Sequence, residues 1–218
     1  MPWCSDATAV DRSKTLNPPF LLQARRFVSP HGWGGALALV VDQLSKLYAE
    51  KSHLLHPPVP TMAHHRASSE TAWLWVSDSG NSYFAFHVTH VANAGIMMGA
   101  LENAAPPIPW LMFMATTVIG LAMGIGLLAI AKQSEKGLLW GAVLLTAGVA
   151  SNLMDRLRVD YVVDWAHLQW RLGGWLVDAP AFNLADLFII AGSALASIAL
   201  IRRKLPLAHV HQSQIKQG

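Results

Sequence analysis

Long apolar runs separated by short polar stretches dominate the chain. The longest, WLMFMATTVIGLAMGIGLLAIA at residues 110–131, has 22 residues without a charge, and a helix of that length crosses a bilayer core of about 30 Å. A second run covers residues 137–155 and is uncharged up to its last residue. A third covers residues 182–201, with Asp186 near its start. The pattern predicts a transmembrane helix in each run.

A fourth, weaker segment lies at about residues 30–49. It is apolar through GWGGALALVV and is then interrupted by DQLSK. The uninterrupted part is too short to cross a bilayer alone, so we expect this segment to span only if Asp42 has a partner near the far interface. With it, the sequence predicts an all-α membrane protein with four transmembrane helices in one domain, residues 30–204.

The composition agrees with a membrane protein. Hydrophobic residues make up 53% of the chain and charged residues 13%, against about 25% charged residues in a typical soluble domain. The mean hydropathy is +0.34. The net charge of +3 is small, and the basic residues cluster at the ends of the apolar runs, which favours membrane orientation over nucleic-acid binding. The single cysteine, Cys4, excludes an internal disulfide framework.

Three basic clusters predict the orientation. They are Arg25-Arg26, the pair Lys132 and Lys136, and Arg202-Arg203-Lys204. Four spans put all three clusters on one side of the membrane, which the excess of Lys and Arg identifies as the cytoplasm. Residues 1–29 then form a cytoplasmic N-terminal extension, and residues 205–218 form a cytoplasmic tail.

Two longer connections then face outward. Residues 50–107 begin with a loop-like composition and continue with SYFAFHVTHVANAG, whose alternation of side chains predicts one or two short strands on the membrane surface. Residues 156–181 carry three Trp among polar residues, a composition typical of the interfacial belt. The fold prediction therefore includes a small periplasmic β element and an interfacial segment.

Polar residues gather at the outward ends of three predicted spans, in DQLSK, SNLMDR and FNLAD, with VVDW between the last two. Two carboxylates close together in a poorly solvated place cannot both ionise easily, so one keeps its proton. Such a pair suits peptide hydrolysis, because the charged acid takes a proton from water while the neutral acid donates to the scissile carbonyl. The sequence leaves open which acid holds the proton.

These motifs resemble those of the bacterial lipoprotein signal peptidase (signal peptidase II) family. SNLMDRLRVDYVVDW and FNLADLFIIAG resemble the family's GNxxDR…VVDF and FNxADxxIxxG, DQLSK resembles its DQxxK, and NAGIMMG resembles its NxGAAF. The resemblance covers about residues 34–204. Four motifs in the right order are highly specific, whereas any one alone would be weak.

The resemblance implies an intramembrane aspartic endopeptidase that removes signal peptides from diacylglyceryl-modified prolipoproteins, cutting before the lipidated cysteine. By motif position, the catalytic pair falls on Asp164 and Asp186. The supporting or substrate-binding residues fall on Asn152, Arg156, Asn183, Asp42, Lys46 and Asn93. No metal and no organic cofactor is implied. The expected partners are the prolipoprotein and membrane phospholipid, with no nucleic acid, for a monomer in the bacterial cytoplasmic (inner) membrane whose site faces the periplasm.

Three positions depart from the family pattern. Ser151 and Asp160 stand where the family usually has Gly, and Ile96-Met97-Met98 replaces two small residues and Phe. Asp160 adds a charge that could raise the pKa of Asp164. Two other functions remain open: a catalytically impaired relative that binds lipidated peptides, and, with less support, a small membrane transporter subunit.

Simpler structural roles also remain for several of these residues. Asp164 and Asp186 could each cap or anchor a helix end. Asp155 fits an ion pair or interfacial anchor, and Asp42 fits a structural acid inside the bundle. Asn93 could be a turn former or a substrate hydrogen-bonder.

Overall fold

The structure, a computed structural model, describes residues 30–52, 59–60, 72–78, 82–96, 100–101 and 103–204. Within these residues the chain forms four helices and five strands. In chain order they are α1 (Pro30–Ser52), β1 (Val59–Pro60), β2 (Ala72–Asp78), β3 (Tyr83–Asn93), α2 (Ile108–Ile130), α3 (Lys136–Val159), β4 (Val162–Leu172), β5 (Trp175–Asp178) and α4 (Leu184–Lys204).

Among the described residues, three helices are long and apolar enough to cross a membrane: α2, α3 and α4 up to Arg203. The long apolar helices predicted at residues 110–131, 137–155 and 182–201 are therefore confirmed. The first segment also forms a helix of 23 residues, as long as α2. Because α1 carries acids and lysines in its second half, its crossing of the membrane remains a prediction.

Helix α3 is the centre of the bundle and contacts α1, α2 and α4. Glycines bring α3 and α4 together, since a Cβ built on Gly192 of α4 would lie 2.5 Å from the backbone N of Leu145 and 2.7 Å from the backbone O of Gly141. A Cβ on Gly148 of α3 would lie 2.5 Å from the backbone O of Ala185. Close approach through small residues is how helices pack in lipid, so the backbone contact holds the ends of α3 and α4 in a fixed relation.

The five strands form one sheet in the order β1-β3-β4-β5, with β2 also paired to β3. The pairs β2–β3, β3–β4 and β4–β5 are antiparallel, while the short β1 runs parallel to β3. Strand β3 confirms the strand predicted from the alternating segment SYFAFHVTHVANAG. The tryptophan-rich segment 156–181, for which the sequence predicted no strand, supplies the end of α3 and the hairpin β4–β5. Its place at the membrane interface stays a prediction.

The sheet joins the bundle through two short connections. Helix α3 ends at Val159, and Asp160 follows in the left-handed conformation at φ +66°, which Asp and Asn tolerate better than most residues. At the other end, Phe182 bonds to the backbone of Ala166 in β4 just before α4 begins. The start of β4 therefore lies between the end of α3 and the start of α4.

Candidate active site

Asp164 is buried at this junction, with 1% of its surface exposed. Both of its oxygens accept hydrogen bonds from amides: Asn183 Nδ2 donates to Oδ1 (2.7 Å) and Asn93 Nδ2 donates to Oδ2 (2.9 Å). Asn93 is itself fixed by its own turn, because its Oδ1 accepts from the backbone N of Gly95 (3.0 Å). Strand β3 thus holds one side of the Asp164 carboxyl, and the start of α4 holds the other.

Asp186 lies in the first turn of α4 and forms a reciprocal cap with Asn183. The backbone N of Asn183 donates to Asp186 Oδ2 (3.1 Å), and the backbone N of Asp186 donates to Asn183 Oδ1 (3.0 Å). This is the arrangement of a capping box, with the acid at the third helical position. The cap fixes the Asp186 carboxyl at the positive end of α4, where a negative charge is stabilised.

Asn183 therefore contacts both carboxyl groups, through its side-chain amide on Asp164 and through its backbone on Asp186. The two acids are close enough to interact electrostatically. Burial raises the pKa of Asp164 well above its ordinary value, and the charge of Asp186 raises that pKa further, against the opposing effect of the amides of Asn93 and Asn183. Such a pair resists ionisation of both carboxyl groups at once.

Asp42 and Lys46 of α1 are fully buried and form an ion pair one turn apart (2.7 Å). Asp42 also accepts from Ser151 Oγ (2.7 Å) and from the backbone N of Ala185 (2.8 Å). Asp42 has the partners that its place in an apolar helix requires, and one of them is a backbone N–H in the first turn of α4. It ties α1 to the helix that carries Asp186.

Lys46 joins three side chains in one buried cluster. Its Nζ contacts Asp42, Asp155 Oδ2 (2.8 Å) and Asn152 Oδ1 (2.8 Å). Because the oxygen of the Asn152 amide faces Lys46, its Nδ2 faces the other way and donates to Asp186 Oδ1 (3.0 Å). The lysine thereby fixes which end of the Asn152 amide meets the candidate catalytic acid.

Arg156 is buried beside the site, with 6% of its surface exposed. Its guanidinium donates to the backbone O of Gly95 and of Asp160, and it lies 4.4 Å from the ring centroid of Phe113. Its charge interacts with Asp164 and Asp160. Arg156 thus links α2, α3 and the turn after β3 at the edge of the site.

All eight residues singled out in the sequence meet at this junction. Seven are buried and Asp186 is partly buried. Of the two roles expected for Asp155, the structure confirms the ion pair, because Asp155 is a fully buried partner of Lys46 and not an interfacial anchor. It also accepts a hydrogen bond from the backbone N of Val163 (3.2 Å). The position of Asp155, one helical turn beyond Asn152, was the feature of the sequence that could have predicted its burial in the cluster.

Two further members of the cluster were not identified from the sequence as site residues. Gln43 Nε2 donates to Ser151 Oγ (3.0 Å) and to Asp155 Oδ1 (2.9 Å). The Ser151 hydroxyl thus hydrogen-bonds to Gln43 and Asp42, at a position where the related motif has Gly and no side chain to do so. The charge of Asp160 acts on Arg156, while burial and Asp186 account for the raised pKa of Asp164. Met97 and Met98 lie outside the described residues.

Two protein comparisons bear on the family. A family model described as "Signal peptidase (SPase) II" matches residues 35–202. The lipoprotein signal peptidase of Geobacter metallireducens is 25% identical over 167 residues, which cover 77% of this chain and 87% of the relative. That of Cyanothece sp. is 31% identical over 159 residues, covering 72% and 74%.

Solved structures agree on the fold. A bacterial membrane enzyme solved by the in meso method at 2.3 Å resolution superposes with a TM-score of 0.54 at 19% identity, covering 83% of this chain and 93% of that one. A second structure with the same description, at 1.9 Å resolution, gives a TM-score of 0.51 at 18% identity. Because the family model covers most of the chain, from α1 to the end of α4, the protein belongs to the signal peptidase II family.

Proposed function

We propose that this protein is an intramembrane aspartic endopeptidase that removes the signal peptide from diacylglyceryl-modified prolipoproteins, cutting before the lipidated cysteine. Asp164 and Asp186 are the catalytic pair. The observation that carries the proposal is the double contact of Asn183, which hydrogen-bonds both carboxyl groups and keeps them beside each other.

The two acids have different roles. Asp164, whose pKa is raised by burial and by its neighbour, keeps a proton and donates it toward the scissile carbonyl oxygen. Asp186, held by the Asn152 amide and by the N-terminus of α4, is the ionised acid that takes a proton from the attacking water. The water oxygen bonds to the carbonyl carbon to give a tetrahedral diol. Asp186 then passes its new proton to the leaving nitrogen as the peptide C–N bond breaks, and Asp164 regains its proton when the diol collapses to the carboxylic acid.

The supporting residues hold these roles in place. Asn93 and Asn183 position Asp164, and the Lys46–Asn152 contact positions Asp186. Asp42 secures α1 to the start of α4. No metal and no organic cofactor enters the proposed reaction, because the pair itself supplies both the acid and the base.

The membrane setting follows from the substrate. A diacylglyceryl group stays in the bilayer, so the peptide bond next to it can reach only acids placed at the end of a membrane helix, as Asp186 is. In this proposal the chain is a monomer in the bacterial cytoplasmic (inner) membrane. It crosses four times with both termini inside, contacts phospholipid and binds no nucleic acid.

A cleavage assay tests the reaction and the substrate class together. Purified protein is incubated with a diacylglyceryl-modified prolipoprotein and, as the matched control, with the same protein lacking the lipid. Mass spectrometry of the products should reveal a new N-terminus at the lipidated cysteine and little cleavage of the control. Cleavage at another position, equal cleavage of both proteins, or binding of the lipidated protein without cleavage would contradict the proposal.

A further inference from the structure

The free end of the β4–β5 hairpin is apolar and exposed. We call Leu172, Trp175, Leu176 and Val177 the hairpin tip, and their exposed fractions are 65%, 82%, 50% and 39%. The strands turn at Gly173, whose φ is +58°, and Gly174, and a Cβ on either glycine would meet nothing within 4 Å. A contiguous exposed patch of large apolar side chains indicates a surface that contacts something other than water.

Strand register separates the sheet into an apolar and a polar face. Residues paired across antiparallel strands share a face, so the face of Asp164 continues through Leu168 and Trp170 to the tip residues Leu172, Trp175 and Val177. The opposite face carries His167 with Asp178, Tyr83 with Gln169, and Arg171. At the tip the polar face gains one large apolar side chain, Leu176, which lies beside its cross-strand partner Arg171.

The hairpin is tied to the ends of two membrane helices. Strand β4 begins three residues after α3 ends, and α4 begins six residues after β5 ends. The sheet therefore lies at the side of the bilayer where α3 ends and α4 begins. Those helices also expose large apolar side chains near the same side, such as Leu157 at 77% and Ile190 at 64% exposure.

We infer that the hairpin tip inserts into the lipid leaflet on the side where α3 ends and α4 begins. Apolar side chains project from both faces of the tip, which fits insertion of its end, and Arg171, the cross-strand partner of Leu176, limits the depth of insertion. Trp is the side chain that favours the membrane interface. Arg171 marks the polar boundary, since its guanidinium lies 5.6 Å from the Tyr83 ring centroid and is placed to meet lipid phosphate.

The distance along β4 separates this surface from the reacting bond. Leu172 is eight residues beyond Asp164 in the same strand, about 26 Å at about 3.3 Å per residue. The tip is thus a lateral anchor that sets the tilt of the sheet on the membrane. This inference does not rest on the proposed peptidase reaction, and its test needs no activity.

A fluorescent label reports the position of the tip. In a Cys4→Ser background, Trp175→Cys is labelled with NBD and reconstituted into phosphatidylcholine vesicles containing phosphatidylglycerol and lipids spin-labelled at graded depths. The matched controls are Gln133→Cys in the exposed link between α2 and α3, and Ile119→Cys on the exposed side of α2. Insertion of about 5–10 Å is typical of interfacial segments.

We expect the Trp175 label to emit at shorter wavelength than the Gln133 label and to be quenched severalfold more strongly by the shallow spin label. The Ile119 label should respond most to the deep one. Adding Leu176→Asp should return the Trp175 label toward the behaviour of Gln133. Emission and quenching equal to those of Gln133 would overturn the inference. A blue-shifted label that lipid spin labels do not quench would also overturn it, because a protein surface would then cover the tip.

Discussion

Asn183 carries three contacts that together define the candidate site. Its side-chain Nδ2 donates to Asp164, its side-chain Oδ1 caps α4 by accepting from the backbone N of Asp186, and its own backbone N donates to the Asp186 carboxyl. The neighbouring amide of Asn152 is oriented in the same way, by a lysine on one end and an acid on the other. Buried polar groups that satisfy one another hold a fixed geometry, so the two carboxyl groups are positioned before substrate arrives.

Asn93→Ala should shift the pH dependence of the reaction. The Asn93 amide stabilises the ionised form of Asp164, so its loss raises the pKa of Asp164 above its already raised value. In the proposed mechanism Asp164 must be protonated, and activity therefore persists below that pKa and falls as pH rises through it. The alkaline limb of kcat/KM should move to higher pH in Asn93→Ala.

The control for this prediction is Asn103→Ala, an exposed asparagine in the loop before α2, whose alkaline limb should match that of the wild type. An alkaline limb in Asn93→Ala that stays in place or moves to lower pH would be inconsistent with a protonated Asp164.

The residue types and motif spacing predicted which side chains meet, because each motif lies at the end of an apolar run. They could not predict the partners of Ser151 or Asp155. Those partners depend on how α1 is rotated against α3, and contacts such as Gln43 to Asp155 join residues more than a hundred positions apart. The sequence also could not predict the left-handed conformation of Asp160. That conformation explains why Asp is accepted where the family motif usually has Gly.

At the scale of elements, the contact of α3 with α4 holds Asn152 against Asp186. The helices touch through backbone atoms at Gly192 and Gly141, so no side chain there can move aside. Gly126 in α2 is a natural comparison, because a Cβ there would meet nothing within 4 Å.

Gly192→Ala should destabilise the protein by about 1–3 kcal/mol, the usual cost of overpacking a tight contact. Its thermal unfolding midpoint in a fixed detergent should fall, and activity should fall with it as Asn152 separates from Asp186. Gly126→Ala should unfold at the wild-type temperature or slightly above, since Ala favours helix over Gly. Equal midpoints for the two variants would show that the close contact is absent.

The helices were easier to predict than the strands for a physical reason. An apolar run long enough to span is a local signal, whereas β4 is defined by pairing with β3, about 80 positions earlier. The alternation of side chains predicted β3. The residues Trp165, Trp170 and Trp175 predicted a position at the membrane interface but no hairpin. Strands β1 and β2 pair with the far side of β3, in a part of the chain where the sequence showed only a loop-like composition.

In the whole molecule, the site residues lie where α3 ends and α4 begins. Lys132 and Lys136 lie in and next to the link that joins the end of α2 to the start of α3, at the other end of the bundle. From the positive-inside rule we predict that the lysines lie in the cytoplasm. In the proposed function the candidate site would then face outward, where a signal peptide arrives after its protein has crossed the membrane.

Cysteine labelling of whole cells tests this orientation. In a Cys4→Ser background, a membrane-impermeant maleimide should label Asn103→Cys in intact cells but label Gln133→Cys only after the cells are permeabilised. Both positions are exposed, so access to water at the residue itself is matched. Labelling of Gln133→Cys in intact cells would reverse the topology and place the acids on the cytoplasmic side.

In the proposed function, Asp164 and Asp186 act together as one catalytic pair. Cleavage of a lipidated prolipoprotein should be measured for Asp164→Asn and Asp186→Asn, with Asp160→Asn as the control, because Asp160 is exposed and its left-handed backbone accepts Asn. We expect each pair variant to lose at least about 10²-fold in kcat while still unfolding cooperatively, and Asp160→Asn to cleave like the wild type. Near-wild-type turnover by either pair variant would show that the two acids are not a catalytic pair.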